Sequence, residues 1–455
     1  MVDVRWQTKL FTFNFSLLTY MKYYSTNGKA PMATLEKAVV KGLAEDRGLY
    51  MPERINSLPQ DFFDNIDKMS FQEIACTVAQ AFFGEDVPEA DLRRIVCDTL
   101  SFDCPVVPVT DHIYSLELFH GPTLAFKDVG ARFMARLLQY FIKKEGGSDS
   151  TVNVLVATSG DTGSAVANGF LGVDGIHVYV LYPKGKVSAI QECQFTTLGQ
   201  NITAIEVDGV FDDCQRLVKS AFMDDELNRK MRLTSANSIN VARFLPQAFY
   251  YFNAYAQMKR IGKSDELVIC VPSGNFGNIC AGLFGKRMGL PVKRFIAANN
   301  SNDIFYQFLK TGEYNPKASV QTIANAMDVG DPSNFARVYD LYGKSHEAIC
   351  SDISGATYSD SQIADTIRDV LERTGYLCDP HGACGFRALQ EGLRDGEYGV
   401  FLETAHPAKF KQTVDSITGR DTQIPAKLAA FMQGKKQSVE MSKDFDDCKR
   451  YLMGV

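Results

Sequence analysis

Two stretches of this chain describe the same local event: an apolar strand-like run, a glycine-containing turn, then a helix-like run. They are VNVLVATSGDTGSAVANGF at 152–170 and ELVICVPSGNFGNICAGLF at 266–284. Further strand candidates recur at 177–183, 202–207, 294–299 and 399–405. Helix candidates alternate with them at 163–171, 187–199, 211–224, 240–260, 277–288 and 361–374. From Pro105 onward this alternation predicts an α/β fold, with parallel sheets covered by helices on both faces. Before Pro105 the pattern is different. LEKAVVKGL at 35–43 and FQEIACTVAQAFF at 71–83 carry apolar residues at helical spacing, so residues 21–105 read as mainly helical.

A strand that turns through glycines into a helix N-terminus offers free backbone N–H groups and the positive end of the helix dipole, which together make an anion site. Gly274, Asn275, Phe276, Gly277 and Asn278 form one such turn, and Ser159, Gly160, Asp161, Thr162 and Gly163 form the other. Neither turn is a P-loop or a GxGxxG fingerprint, so a mononucleotide or dinucleotide reading has little support. A third feature joins them. Lys127, in FHGPTLAFKD at 119–128, follows Leu124, Ala125 and Phe126 after a Gly-Pro turn. Apolar flanks strip solvent from an amine and favour its neutral form, the form that attacks an aldehyde. Two anion sites and a desolvated lysine suit pyridoxal 5'-phosphate joined to an amino acid.

The chain resembles the threonine synthase family, fold type II pyridoxal-phosphate enzymes related to the tryptophan synthase β subunit. The resemblance rests on eight ordered motifs from Met21 to about residue 420. These are STNGKAPMATLEKAVVKGLAEDRGLYMPE (25–53), LFHGPTLAFKD (118–128), TSGDTGSA (158–165), LYPKGKVS (181–188), NSINVARFLPQAFYY (237–251), PSGNFGN (272–278), DPHGACG (379–385) and ETAHPAKF (403–410). It implies two parallel-sheet α/β domains with the cofactor between them, plus the helical N-terminal domain. The expected boundaries are 21–105 for the latter, 106–150 with 240–455 for the large cofactor domain, and 151–239 for a smaller mobile one. It also implies that Lys127 carries the cofactor as a Schiff base and then serves as general base. The 274–278 turn would cradle the cofactor phosphate, and Thr404 would face the pyridine nitrogen. The 159–163 turn would hold the substrate carboxylate. The implied reaction turns O-phospho-L-homoserine and water into L-threonine and phosphate. A rival keeps the fold and releases phosphate, ammonia and a keto acid. Either substrate needs a further anion site, for which Lys184, Lys186, Ser238, Asn240 and Arg243 are candidates. Asp161 is the awkward member of its turn, since a carboxylate repels an anion. Two roles are open to it, a counter-ion for the cationic imine or amine, or a helix N-cap.

Bulk properties narrow the class. A net charge of −6 with no basic run argues against nucleic-acid binding, and no internal apolar run approaches the ~20 residues that span a bilayer. Eleven cysteines scattered without a CxxC pair read as reduced thiols of a cytoplasmic protein, with no zinc site or other metal centre. Residues 1–20 are out of character. They hold the only tryptophan, Trp6, and a short apolar stretch after Arg5 and Lys9. A signal peptide is one reading, but Asp3 interrupts its basic start and no small-residue cleavage site follows, so an extraneous leader or upstream extension is preferred. The polar tail at 433–450 reads as a surface helix, and the working unit as a monomer or homodimer.

Overall fold

The computed structural model describes residues 20–145 and 151–454. The leader expectation falls on residues that, apart from Tyr20, lie outside the described ones.

The N-terminal region begins with strands rather than helices. Lys22–Ser25 pairs antiparallel with Ala33–Thr34 on one side and Tyr50–Pro52 on the other. Runs of two to four residues are too short to show an alternation, which is why the sequence pattern missed them. The helices then follow as expected. Phe71–Phe83 starts at a capping box in which the Ser70 side chain accepts from Glu73 N and Glu73 accepts from Ser70 N. Its buried face (Ile74, Val78, Phe82) repeats at helical spacing and packs on the later helix Ala248–Arg260. Aromatic contacts tie the same two regions, with Phe62 and Phe63 at 6.1 and 6.2 Å from the Phe252 ring.

The larger sheet has six strands in the order 353–357, 294–299, 267–272, 398–403, 113–117, 106–108. All neighbours are parallel except the edge pair, where Val106–Pro108 runs antiparallel to Ile113–Glu117. The smaller sheet is wholly parallel, in the order 439–441, 202–207, 176–183, 152–157, 232–235. Its first strand corrects two expectations. The tail is not simply a surface helix: Val439–Met441 pairs with Ile205–Val207, and only then does Phe445–Met453 form a helix that buries Cys448 and Leu452. The last part of 240–455 therefore builds on the smaller sheet, not the larger one.

Other departures have local causes. The expected helix 240–260 is broken into Val241–Phe244, a 3-10 turn Leu245–Gln247 and Ala248–Arg260, because Pro246 has no N–H to donate. The long helix Lys127–Lys144 was not among the helix candidates. Its N-cap, Phe126, makes no side-chain cap, so the usual start signal is missing. Among the described residues no helix is long and apolar enough to cross a membrane, and no group of three His, Cys, Asp or Glu side chains is placed to hold a metal.

Candidate active site

Both glycine turns leave the carboxyl ends of their strands and open into one cleft of about 1710 Å³. Parallel sheets place ligands there because helix N-termini and loop N–H groups converge at that end. Lys127, Ser159, Thr162, Lys186, Ser238, Arg243, Thr404 and the five residues Gly274 to Asn278 all line it.

Lys127 is the first residue of its helix and half-buried. Burial pushes its amine down to about 8. Asp161 opposes that shift, and the positive charges of Lys409 and Arg243 add to it. A lysine in this state holds a substantial fraction of free amine near neutral pH, as carbonyl capture requires.

Asp161 is not the N-cap of its helix. The helix runs Asp161–Phe170, and the cap position is Gly160, which makes no side-chain cap. The carboxylate is instead buried and held by two groups. Lys409 Nζ lies 2.7 Å from Oδ1, and Gln191 Nε2 donates to the same oxygen at 2.9 Å. Burial works to raise its pKa, but the positive charges of Lys409 and then Lys127 hold the carboxyl well below the usual carboxylate range. Lys409 was not singled out from the sequence, although it lies in a quoted motif. Its partner is 248 positions away in the chain, and no local pattern reports such a pair.

The rest of this turn is shaped by Thr158. Its Oγ1 accepts from Gly160 N at 2.9 Å and Gly163 N at 2.8 Å, so these two N–H groups close the turn and are not free for a ligand. Gly160 sits at φ +143, which only glycine adopts readily. Among the expected carboxylate contacts, Ser159 and Thr162 line the cleft, while Gly160, Asp161 and Gly163 lie behind them, outside its lining.

The second turn is braced from behind. Asn275 Nδ2 donates to Ser238 Oγ at 2.9 Å, and Asn334 Nδ2 donates to Ser238 Oγ and to Asn275 O at 3.1 and 3.0 Å. Arg337, fully buried, completes the brace through Asn334 Oδ1 and the carbonyls of Tyr50, Ser238 and Ile239. Phe276 holds a left-handed conformation at φ +62, its ring 4.5 Å from that of Phe305. Such strain in a non-glycine residue is a mark of a functional turn. Helix Gly277–Arg287 starts immediately after it. Asn278 Oδ1 accepts from Tyr250 and Tyr251, leaving Nδ2 buried with no partner among the described residues.

Three residues expected as anion contacts are engaged with other groups of the protein. Lys184 is not among the residues lining the cleft and pairs with Glu440 at 3.1 Å. Asn240 is buried and spends its side chain on Val39 O, Ser235 O and Ala242 N, capping a short helix. Arg243 lines the cleft but is buried, donating to Ala236 O at 2.6 Å and Lys127 O at 3.0 Å, so it serves first to fix the lysine backbone. Of the histidines, His381 lines the cleft in a fixed state. Ala326 N donates to Nε2, so Nδ1 carries the proton shared with Asp379 at 2.5 Å.

Known proteins resemble this chain over nearly its whole length. Residues 109–402 match a family model described as pyridoxal-phosphate dependent enzyme, residues 22–100 one described as threonine synthase N terminus, and residues 382–452 one described as threonine synthase, C-terminal. The threonine synthase of Serratia marcescens is 43% identical over 435 residues, 96% of this chain and 100% of that protein. Among solved structures, threonine synthase from Escherichia coli superposes with a TM-score of 0.89 at 42% identity, covering 95% of this chain and 100% of that one. A structure described as PLP-bound threonine synthase from Brucella melitensis gives 0.88 at 36%, covering 95% and 99%. Similarity of this extent, from the first strand to the last helix, means that the chain belongs to the threonine synthase family.

Proposed function

We propose that this chain converts O-phospho-L-homoserine and water into L-threonine and phosphate, with pyridoxal 5'-phosphate held in the cleft. The carrying observation is Lys127 itself, an amine brought to about 8 in a cleft that two helix N-termini face. The residues present fit the cofactor. Lys127 supplies the amine for its aldehyde, and the turn 274–278 with the start of helix Gly277–Arg287 supplies donors for its phosphate. The orphaned Nδ2 of Asn278 is a buried donor that such an anion satisfies. When bound, the cofactor supplies an electron sink for charge developing on the substrate carbons.

The chain's own residues do the rest. Lys127, once its amine is free, takes the proton from the substrate Cα. Ser159 and Thr162 hold the substrate carboxylate at the smaller sheet. Lys186 and Ser238 reach the leaving phosphate. Thr404, at the end of strand Tyr398–Glu403, offers a hydroxyl to the ring nitrogen, which withholds the full proton an aspartate would force. The eleven cysteines, all free, support a reducing, cytoplasmic setting. A cleft built within one chain supports a monomer or homodimer, which light scattering decides.

Borohydride reduction of the yellow protein should fix the cofactor mass on Lys127, and phosphohomoserine should yield equimolar threonine and phosphate. Ammonia and a keto acid in place of threonine would instead establish the phospholyase reading. A colourless protein with no mass on Lys127 would reject both.

A further inference from the structure

Lys127 has a carboxylate within electrostatic reach, yet no ion pair joins it to Asp161 among the described residues. The reason lies on the far side of the carboxylate. Asp161 Oδ1 is already taken by Lys409 at 2.7 Å and by Gln191 at 2.9 Å. Lys409 is wholly buried, and its Nζ also donates to Thr123 O at 2.8 Å. Gln194 Nε2 donates to that same carbonyl at 3.1 Å. Asp161, Gln191 and Gln194 belong to helices of the smaller sheet, while Thr123 and Lys409 belong to segments around the larger one.

A buried lysine costs several kcal/mol of desolvation unless its partners are well placed, so a fold retains one where it does something a neutral side chain does not. We propose that Lys409 is a positioning residue for the reacting lysine: it holds the Asp161 carboxylate back, so that Lys127 keeps a counter-ion nearby without being locked into a salt bridge. A free amine next to an unrestrained buried carboxylate collapses into an ion pair and loses its nucleophilicity. Lys409 prevents that by competing for the same oxygen.

The other groups facing this cluster leave Asp161 as the carboxylate that both lysines feel and only Lys409 holds. Asp128 accepts from Thr123 N and Oγ1 and turns its charge toward that backbone. Arg243 faces the Lys127 carbonyl. The Cys193 thiol is pushed up to about 11 by burial, and burial lowers His406, so both are neutral at pH 7 to 8.

The inference rests on Lys127 as the cofactor lysine but is tested apart from it. In the full-length apoprotein, competitive acylation of Lys127, read by mass spectrometry across pH, reports its free amine without cofactor or substrate. Lys409→Met removes a neighbouring positive charge and releases Asp161. It should move the Lys127 profile up by about one pH unit, roughly tenfold less free amine at pH 7. Asp161→Asn should move the profile down, and the double variant should return close to the parent. Lys409→Arg should keep the parent profile. A folded Lys409→Met protein with an unmoved Lys127 profile overturns the proposal, as does a double variant that stays shifted like Lys409→Met. If Lys409→Met does not fold, an upward or absent shift in Asp161→Asn overturns it by itself. Borohydride trapping of the holoenzyme keeps the two ideas separate: cofactor mass elsewhere than Lys127 rejects the proposed function whatever the acylation profiles show.

Discussion

The turns at 158–163 and 273–278 share one plan and differ in electrostatics. Each leads from a parallel strand into a helix at the cleft. The first opens its helix with a buried carboxylate, Asp161, and consumes two of its own N–H groups on Thr158. The second opens with glycine and asparagine, carries no charge of its own, and is braced by Asn334 and Arg337. Burial lowers the Arg337 guanidinium to about 9, and its bonds go to carbonyl oxygens rather than to a carboxylate. A turn with a cationic brace and no acid suits a permanently held phosphate. A turn whose acid is neutralised by a lysine suits a zwitterionic substrate that enters and leaves. The sequence motif is the same kind of object in both; the neighbours brought by folding set the difference.

The largest expected effect lies between the turns. Lys127→Ala should cost at least ~10³-fold in turnover, because it removes a covalent and general-base group. In the parent apoprotein, capture of pyridoxal phosphate should rise with pH through about 8, since the deprotonated amine is the reactive form. A flat profile between pH 6 and 9 would break that link.

Gly277→Val should separate the braced turn from the other. Its Cβ would lie 2.7 Å from Ser238 Cβ, so the valine presses on the brace as well as on the phosphate. Overpacking of about 1–3 kcal/mol predicts a ~10–100-fold weaker cofactor affinity, measured by equilibrium dialysis. Gly160→Ala, strained at φ +143 and 2.6 Å from the Gln191 amide carbon, should destabilise by about 1–3 kcal/mol. It should raise KM for the substrate more than it weakens the cofactor; the opposite ranking would erase the distinction between the turns.

Smaller effects sharpen the picture further. Lys186→Ala should raise KM by about two- to fivefold, the scale of an exposed charge contact, while Lys184→Ala should leave it unchanged. Equal effects would restore Lys184 to the site. Deleting residues 1–20, which precede both turns and every motif, should leave kinetic constants within about twofold.

What was legible beforehand was local in the chain. The strand–turn–helix units and the apolar flanks of Lys127 show within about ten residues, Thr404 came only through the family resemblance, and the cleft gathers them all. What was not legible depended on distant partners. Lys409 meets Asp161, Arg337 meets Tyr50, and Lys184 is drawn off by Glu440, none of which periodicity can report. The missed strands at 22–25, 33–34 and 50–52 fail for another reason, since register needs a partner as well as a pattern.

Strand Ile202–Val207 depends on a neighbour from near the chain's end, Val439–Met441. During synthesis the ITAIEV edge is therefore exposed while the ribosome makes everything between them. At ~5–20 residues per second that interval is on the order of 10–50 s. An uncovered, β-branched edge is a template for pairing with another nascent chain. The segment that carries Val439–Met441 thus acts as a late seal, and deleting residues 439–455 should send the product into inclusion bodies although no residue lining the cleft is touched.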